Sequence, residues 1–172
     1  MSLDRENTER ALLEFTKYVV SQARANLTRM KINSSGKLSQ SLVGNVQVMP
    51  NSIKVSFPSK EYQEYGIFRD KGVSGIKKKY NTPFKYTNKR PPTRKLDSWI
   101  VKKGQAPRDK KGKFLSRKSQ AFALASKIYR DGIKPTGFFT NPFEKGFERL
   151  PDIIAEAYGL DVEKFLKFVF KK

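Results

Sequence analysis

The chain has 172 residues, room for one domain with a modest core, and it carries 36 Lys/Arg against 16 Asp/Glu for a net charge of +20. It contains neither cysteine nor histidine, which excludes disulfides and thiolate metal sites and removes the commonest metal ligand and general base. No run reaches the roughly 18 apolar residues of a membrane span, and the polar start Met1 to Arg10 lacks a signal peptide's apolar region, so the expectation is a non-catalytic intracellular protein attracted to polyanions.

Asp4 to Met30 contains no Gly or Pro, and Leu12, Phe15, Val19, Ala23, Leu27 and Met30 recur at spacings of three and four. That pattern predicts an amphipathic helix of roughly 40 Å, long for a domain of this size. Two readings stay open: a helix that projects or lies along a neighbouring subunit, and a helix that breaks before Ala23 and covers a sheet. Asn33-Ser34-Ser35-Gly36 ends it and offers an N-cap to a short helix over Lys37 to Leu42. The period then changes to two. Val46 and Val48, then Ile53, Val55 and Phe57, alternate with polar residues around Pro50-Asn51, which predicts an antiparallel hairpin over Asn45 to Phe57 ended by Pro58.

Ser59 to Phe68 fits a short helix or an irregular segment, and Gly72-Val73-Ser74-Gly75 reads as a flexible turn. From Arg69 to Lys118 the chain holds eighteen Lys/Arg against three Asp, or +15 of the +20. Such a stretch forms no core of its own and must rest on a neighbour, on solvent or on a polyanion. It divides into three. Lys77 to Arg90 reads as an extended arm, Pro91-Pro92-Thr93 and Arg94 to Lys103 as a short helix stopped at Gly104, and Gln105 to Lys118 as a mobile basic loop. Leu96, Trp99 and Ile100 share one helical face and read as core contacts.

Ser119 to Arg130 resumes a helix closed by Asp131-Gly132. Asn141-Pro142-Phe143-Glu144 is a helix start with Asn as cap, and the stripe Phe147, Leu150, Ile154, Ala157 runs to Gly159 past a kink at Pro151. Asp161 to Lys172 reads as a separate terminal docking segment. The fold class expected is α+β: a long N-terminal helix and C-terminal helices on a small antiparallel sheet, one domain over 1–172 with a basic insertion at about 76–118.

No G-x-S-x-G, phosphate-binding or metal-ligand spacing is present, so neither an enzyme nor a cofactor is predicted. Lys77, Lys78, Lys79, Tyr80, Phe84 and Tyr86, with Lys85, Lys89 and Arg90, mix cations with rings. They suit either single-strand nucleic acid or an arm that fills pockets on another subunit. Arg108, Lys110, Lys111, Lys113, Arg117 and Lys118 are the candidates for phosphate contact, without base reading.

Several of these pieces, in order, carry a resemblance. They are Ser35-Gly36-Lys37-Leu38 with Ser41-Leu42 after a long first helix, the valine-rich hairpin, and Tyr62-Gln63-Glu64-Tyr65 with Asp70-Lys71-Gly72-Val73. The last is Ala125-Ser126-Lys127-Ile128 leading through Gly132-Ile133-Lys134-Pro135-Thr136 to Phe138-Phe139. Over Ala11 to Phe147 the chain resembles the head-to-tail joining and tail-completion (neck) proteins of tailed bacteriophages. The resemblance implies a structural virion protein, in the host cytoplasm during assembly, that forms a ring of copies between portal and tail proteins around the DNA channel. It implies no catalytic residue, and no membrane. The alternative is a basic nucleic-acid-binding protein, ribosome-associated or serving DNA packaging.

Overall fold

The structure, a computed structural model, describes residues 5–32, 35–49, 52–104, 106, 108–109 and 111–170. Its frame is an antiparallel pair of long helices, α1 (Glu6–Arg29) and α6 (Thr140–Phe170). The start of α1 meets Asp161 near the end of α6, Phe15 lies against Gly146, and the Asn26 side-chain amide donates to the Phe138 carbonyl just before α6. Thr8, Leu12, Phe15, Val19, Ala23 and Leu27 are buried on one stripe of α1, the face its sequence period requires.

The long first helix therefore does not break before Ala23, and its stripe is buried within the chain as far as Leu27, whereas Met30, the last residue of the expected stripe, follows the helix and is 38% exposed. The sequence pattern stops the last helix at Gly159, which leaves α1 without a partner of matching length; in the structure α6 passes through Pro151 and Gly159 for 31 residues. Pro151 removes the N–H that would donate to Phe147, but the helix on both sides is held against α1. Asp161 to Phe170 is thus the last part of α6 rather than a separate docking segment.

α2 (Lys37–Ser41) crosses the end of α1, where Arg24 donates to the carbonyls of Ser39 and Leu42 and satisfies the end of the short helix. Asn33 and Ser34, the expected cap residues, lie outside the described residues, and Gly36 at the cap position adopts a left-handed φ of 75°. Strands β1 (Asn45–Met49) and β2 (Ser52–Ser56) pair antiparallel, with Val46 opposite Val55 and Val48 opposite Ile53. The ribbon leans on α1, and Phe57 beyond it joins Phe15, Phe139 and Phe143 in edge-to-face contacts 5.3 to 6.3 Å between centroids. The expected turn residues Pro50 and Asn51 lie outside the described residues.

The fold is α+β, with the helix pair as scaffold and the two-stranded sheet as an accessory. A core of Ala23, Leu27, Ile32, Leu38, Leu42 and Phe138 fills the junction of α1, α2 and the lead-in to α6. Next to it the segment left open by the sequence forms a π-helical turn (Tyr62–Gly66) running into α3 (Ile67–Asp70). Gly66 lies beneath Leu38 and Tyr62, where an added Cβ would come within 2.9 Å of both side chains.

Gly72-Val73-Ser74-Gly75 is not a flexible turn. All four residues are buried. Val73 exchanges both backbone bonds with Ile133, Ser74 donates to Phe84 and accepts from Tyr86, and Gly75 donates to Lys78. The tight approach explains the glycines: an added Cβ on Gly75 would lie 2.4 Å from the Arg130 carbonyl, and one on Gly132, at φ 73°, would lie 2.2 Å from the Val73 carbonyl.

Candidate nucleic-acid and subunit interfaces

Within the basic stretch the described residues include a helix that pairs with the one after it as a hairpin. α4 (Thr93–Lys102) packs on α5 (Arg117–Asp131), with Ile100, Ala121 and Ala125 buried between them and Leu96 and Trp99 half-buried. Alanines on α5 allow the close approach. The hairpin joins the frame through Val73 and Ile133, and Lys103 donates to the Lys31 carbonyl at the end of α1.

Among the described residues of the connection between α4 and α5, 108–109 and 111–114 have local structure where the sequence suggested a mobile loop over Gln105 to Lys118. Asp109 organises it: Oδ1 accepts from the backbone of Lys111 and Lys113 at 2.9 Å each, and Arg108 bridges to Phe114. This is a side chain mimicking a backbone turn. The Arg108 guanidinium stacks 3.9 Å from the Phe114 centroid and donates to the Gly112 carbonyl, so it braces the turn. Lys111, Lys113 and Lys118 are exposed on the outside. Arg117 faces Asp97 of α4 at 3.7 Å. Lys110 lies outside the described residues. Ser116 caps α5 by accepting from the Ser119 backbone. The helix therefore begins with Arg117 and Lys118, two cations at a positive helix end, where an anion would relieve the repulsion.

Among the expected arm residues, two rings are engaged by the chain itself. Phe84 meets Phe68 at 4.9 Å and Tyr86 meets Tyr129 at 6.3 Å. Burial raises the Tyr86 phenol above its ordinary pKa. Tyr80 is fixed by Ser74, whose hydroxyl donates to its carbonyl and accepts from its N–H. Lys77, Lys78 and Lys79 remain exposed, and Lys79 donates to the Gly75 carbonyl. The segment follows its own body, and what it turns outward is charge. Next to it Arg90 lies 5.2 Å from the exposed Phe122 ring and 5.9 Å from Tyr129, a small cation and ring platform.

Two buried aspartates have a structural role that the sequence reading did not assign: Asp70, inside the quoted Asp70-Lys71-Gly72-Val73 motif, and Asp161. Asp70, 1% exposed, accepts at Oδ1 from the backbone of Phe139 and Thr140 and at Oδ2 from the hydroxyls of Tyr62 and Thr140. It caps α6 from another element, so Asn141, the expected cap, is already inside the helix. Burial, then the Asp70 charge and hydrogen bond, push the Tyr62 phenol far up. Asp161, equally buried, accepts from the backbone and side chains of both Asn7 and Thr8 at 2.7 to 3.0 Å and caps α1. Burial alone would raise its pKa, but the bonds from Thr8 and Asn7 outweigh that and hold it below the usual carboxylate range. The signal was present for Asp161: it stands four residues after Ala157 and four before Phe165, on the apolar stripe.

A cleft of about 370 Å³ opens beside Asp70 and the start of α6, lined also by Lys71, Asn81, Pro135 and Asn141. The Asp70 carboxylate beside it is engaged by four donors and serves as a helix cap. Among the described residues no cluster of three or more acids could hold a metal ion, and no helix is long and apolar enough to cross a membrane. No family model, curated protein or solved structure matches the chain.

Proposed function

We propose that the chain is a structural virion protein of a tailed bacteriophage that forms, with copies of itself, part of the head-tail connector or neck ring around the DNA channel. Portal and tail proteins are its other partners, and its contact with DNA is to phosphates. The observation that carries this reading is a pair of surface features. The hairpin of α4 and α5 presents the exposed cations Lys111, Lys113 and Lys118, and the 31-residue helix α6 leaves large apolar residues exposed, among them Phe147, Ile153, Tyr158 and Leu160. A ring around DNA needs both: apolar area to bury between subunits, and fixed cations that multiply with copy number along the lumen. The ordered motifs from Ser35 to Phe139 support the same reading by resemblance.

Purified protein, alone and mixed with portal protein, tests it by mass photometry and negative-stain microscopy. Closed rings are expected, and a monomer that ignores portal and tail proteins counts against the reading. A second reading, a nucleic-acid-binding protein without assembly, is favoured by the Arg90, Phe122 and Tyr129 platform, which suits an unstacked base. It requires a monomer whose affinity for single strands falls when Phe122 is changed to alanine.

A further inference from the structure

α6 has three faces. Phe143, Leu150, Ala157 and Asp161 turn toward α1 and its surroundings. Opposite them Glu144, Glu148, Asp152 and Glu156 recur every fourth residue, all exposed and with no ion pair among the described residues; the exposed Lys145 and Arg149 share this face, so four acids against two cations leave it net negative. At 3.6 residues per turn this row is bordered by Phe147 and Tyr158 on one side and by Ile153 and Leu160 on the other. These four bordering residues are between 46% and 53% exposed. Solvated charge alone explains the acids but not the large apolar residues along both borders.

We propose that this outer face of α6 docks onto the outward face of α4 in a second copy of the chain, as a head-to-tail contact. The inference rests on the ring reading and specifies its subunit interface. Charge selects the occupant. The chain is +20 overall, so copies repel unless the contact brings unlike surfaces together. Among the described α-helices only α6 carries a net negative charge, with six Asp/Glu against four Lys/Arg. The outward face of α4 offers Arg94, Lys95 and Lys102 around the exposed Val101. Lengths are compatible as well: Arg94 and Lys102 lie eight residues apart, about 12 Å along a helix, and fit within the roughly 18 Å of the acidic row from Glu144 to Glu156. Because the two faces differ, each subunit offers one and receives the other, a heterologous contact that forms a ring when its rotation closes.

Charge exchange tests the contact. The variants Glu148→Lys with Asp152→Lys, and Lys95→Glu with Lys102→Glu, change exposed residues only, and circular dichroism with thermal melts checks that each folds. Light scattering should show wild-type oligomers larger than a dimer and each variant dissociated, with a dissociation constant raised ~100-fold by like-charge contact. Mixing the two variants should restore assembly, since every contact then pairs opposite charges. The neutral pair Glu148→Gln with Asp152→Asn should weaken assembly less, and serves where a reversed chain does not fold. Oligomers that ignore the α6 changes, or variants that mixing fails to restore, overturn the docking while leaving the ring reading intact. A Lys95/Lys102 variant that loses only DNA binding assigns that face to polyanion and also overturns it. A wild-type chain that stays monomeric at every concentration, alone and with portal and tail proteins, overturns both.

Discussion

At Asp161 one carboxylate holds two long helices in register. It neutralises the positive end of α1, gathers four donors from Asn7 and Thr8, and does so from the far end of α6. Asp161→Asn keeps the shape but loses the charge and turns one acceptor into a donor facing donors. A loss of ~1–3 kcal/mol in urea unfolding is expected. Since the folded carboxyl has a lowered pKa, its contribution is present above the ordinary aspartate value, about 4, and disappears as pH falls through the folded value. The gap between wild type and Asp161→Asn should therefore be full at neutral pH and close only in acid; a gap that is constant with pH would show that charge is not what the site uses. Asp70 caps the start of α6 by accepting from four donors, and Tyr62→Phe, which removes one of them, should cost about 1 kcal/mol.

Among the elements, α6 separates what sequence patterns reveal from what tertiary contacts decide. Its apolar stripe and the two-residue period of the hairpin were legible because burial of one face imposes them. Its extent was not, because Pro151 and Gly159 are local stop signals, whereas their tolerance depends on α1 lying alongside and on Asp161 being pinned just beyond Gly159. The same holds for Gly72 to Gly75: glycine signals either freedom or close approach, and only the location of Ile133 and Gly132 shows that it is approach. In the candidate interface, the cations were visible as composition, but their fixing by Asp109, and the engagement of Phe84 and Tyr86 by Phe68 and Tyr129, depended on residues distant in sequence or on backbone geometry. Gly159, exposed and with nothing within 4 Å of an added Cβ, should stabilise the protein by about 0.5–1 kcal/mol when changed to alanine. Gly132→Ala should destabilise it by at least about 2 kcal/mol through the clash with Val73. Thermal melts of the two variants should move in opposite directions.

For the whole molecule, the proposed division gives the basic turn to DNA and α6 to the neighbouring subunit. DNA binding should be insensitive to sequence and fall steeply with salt. Changing Lys111, Lys113 and Lys118 to alanine should flatten the plot of log affinity against log salt by ~0.9 for each phosphate that is no longer neutralised, as read by fluorescence anisotropy over a salt series. The same three changes should leave oligomer size unaltered, since they lie at the outer turn and the start of α5 rather than on the outward face of α4. The most direct measurement is an electron-microscopic reconstruction of the chain assembled on portal protein. A closed ring is expected, in which the turn between α4 and α5 lines the lumen and α6 meets the neighbouring copy; a monomer on portal, or a ring with that turn on its outer wall, would contradict it.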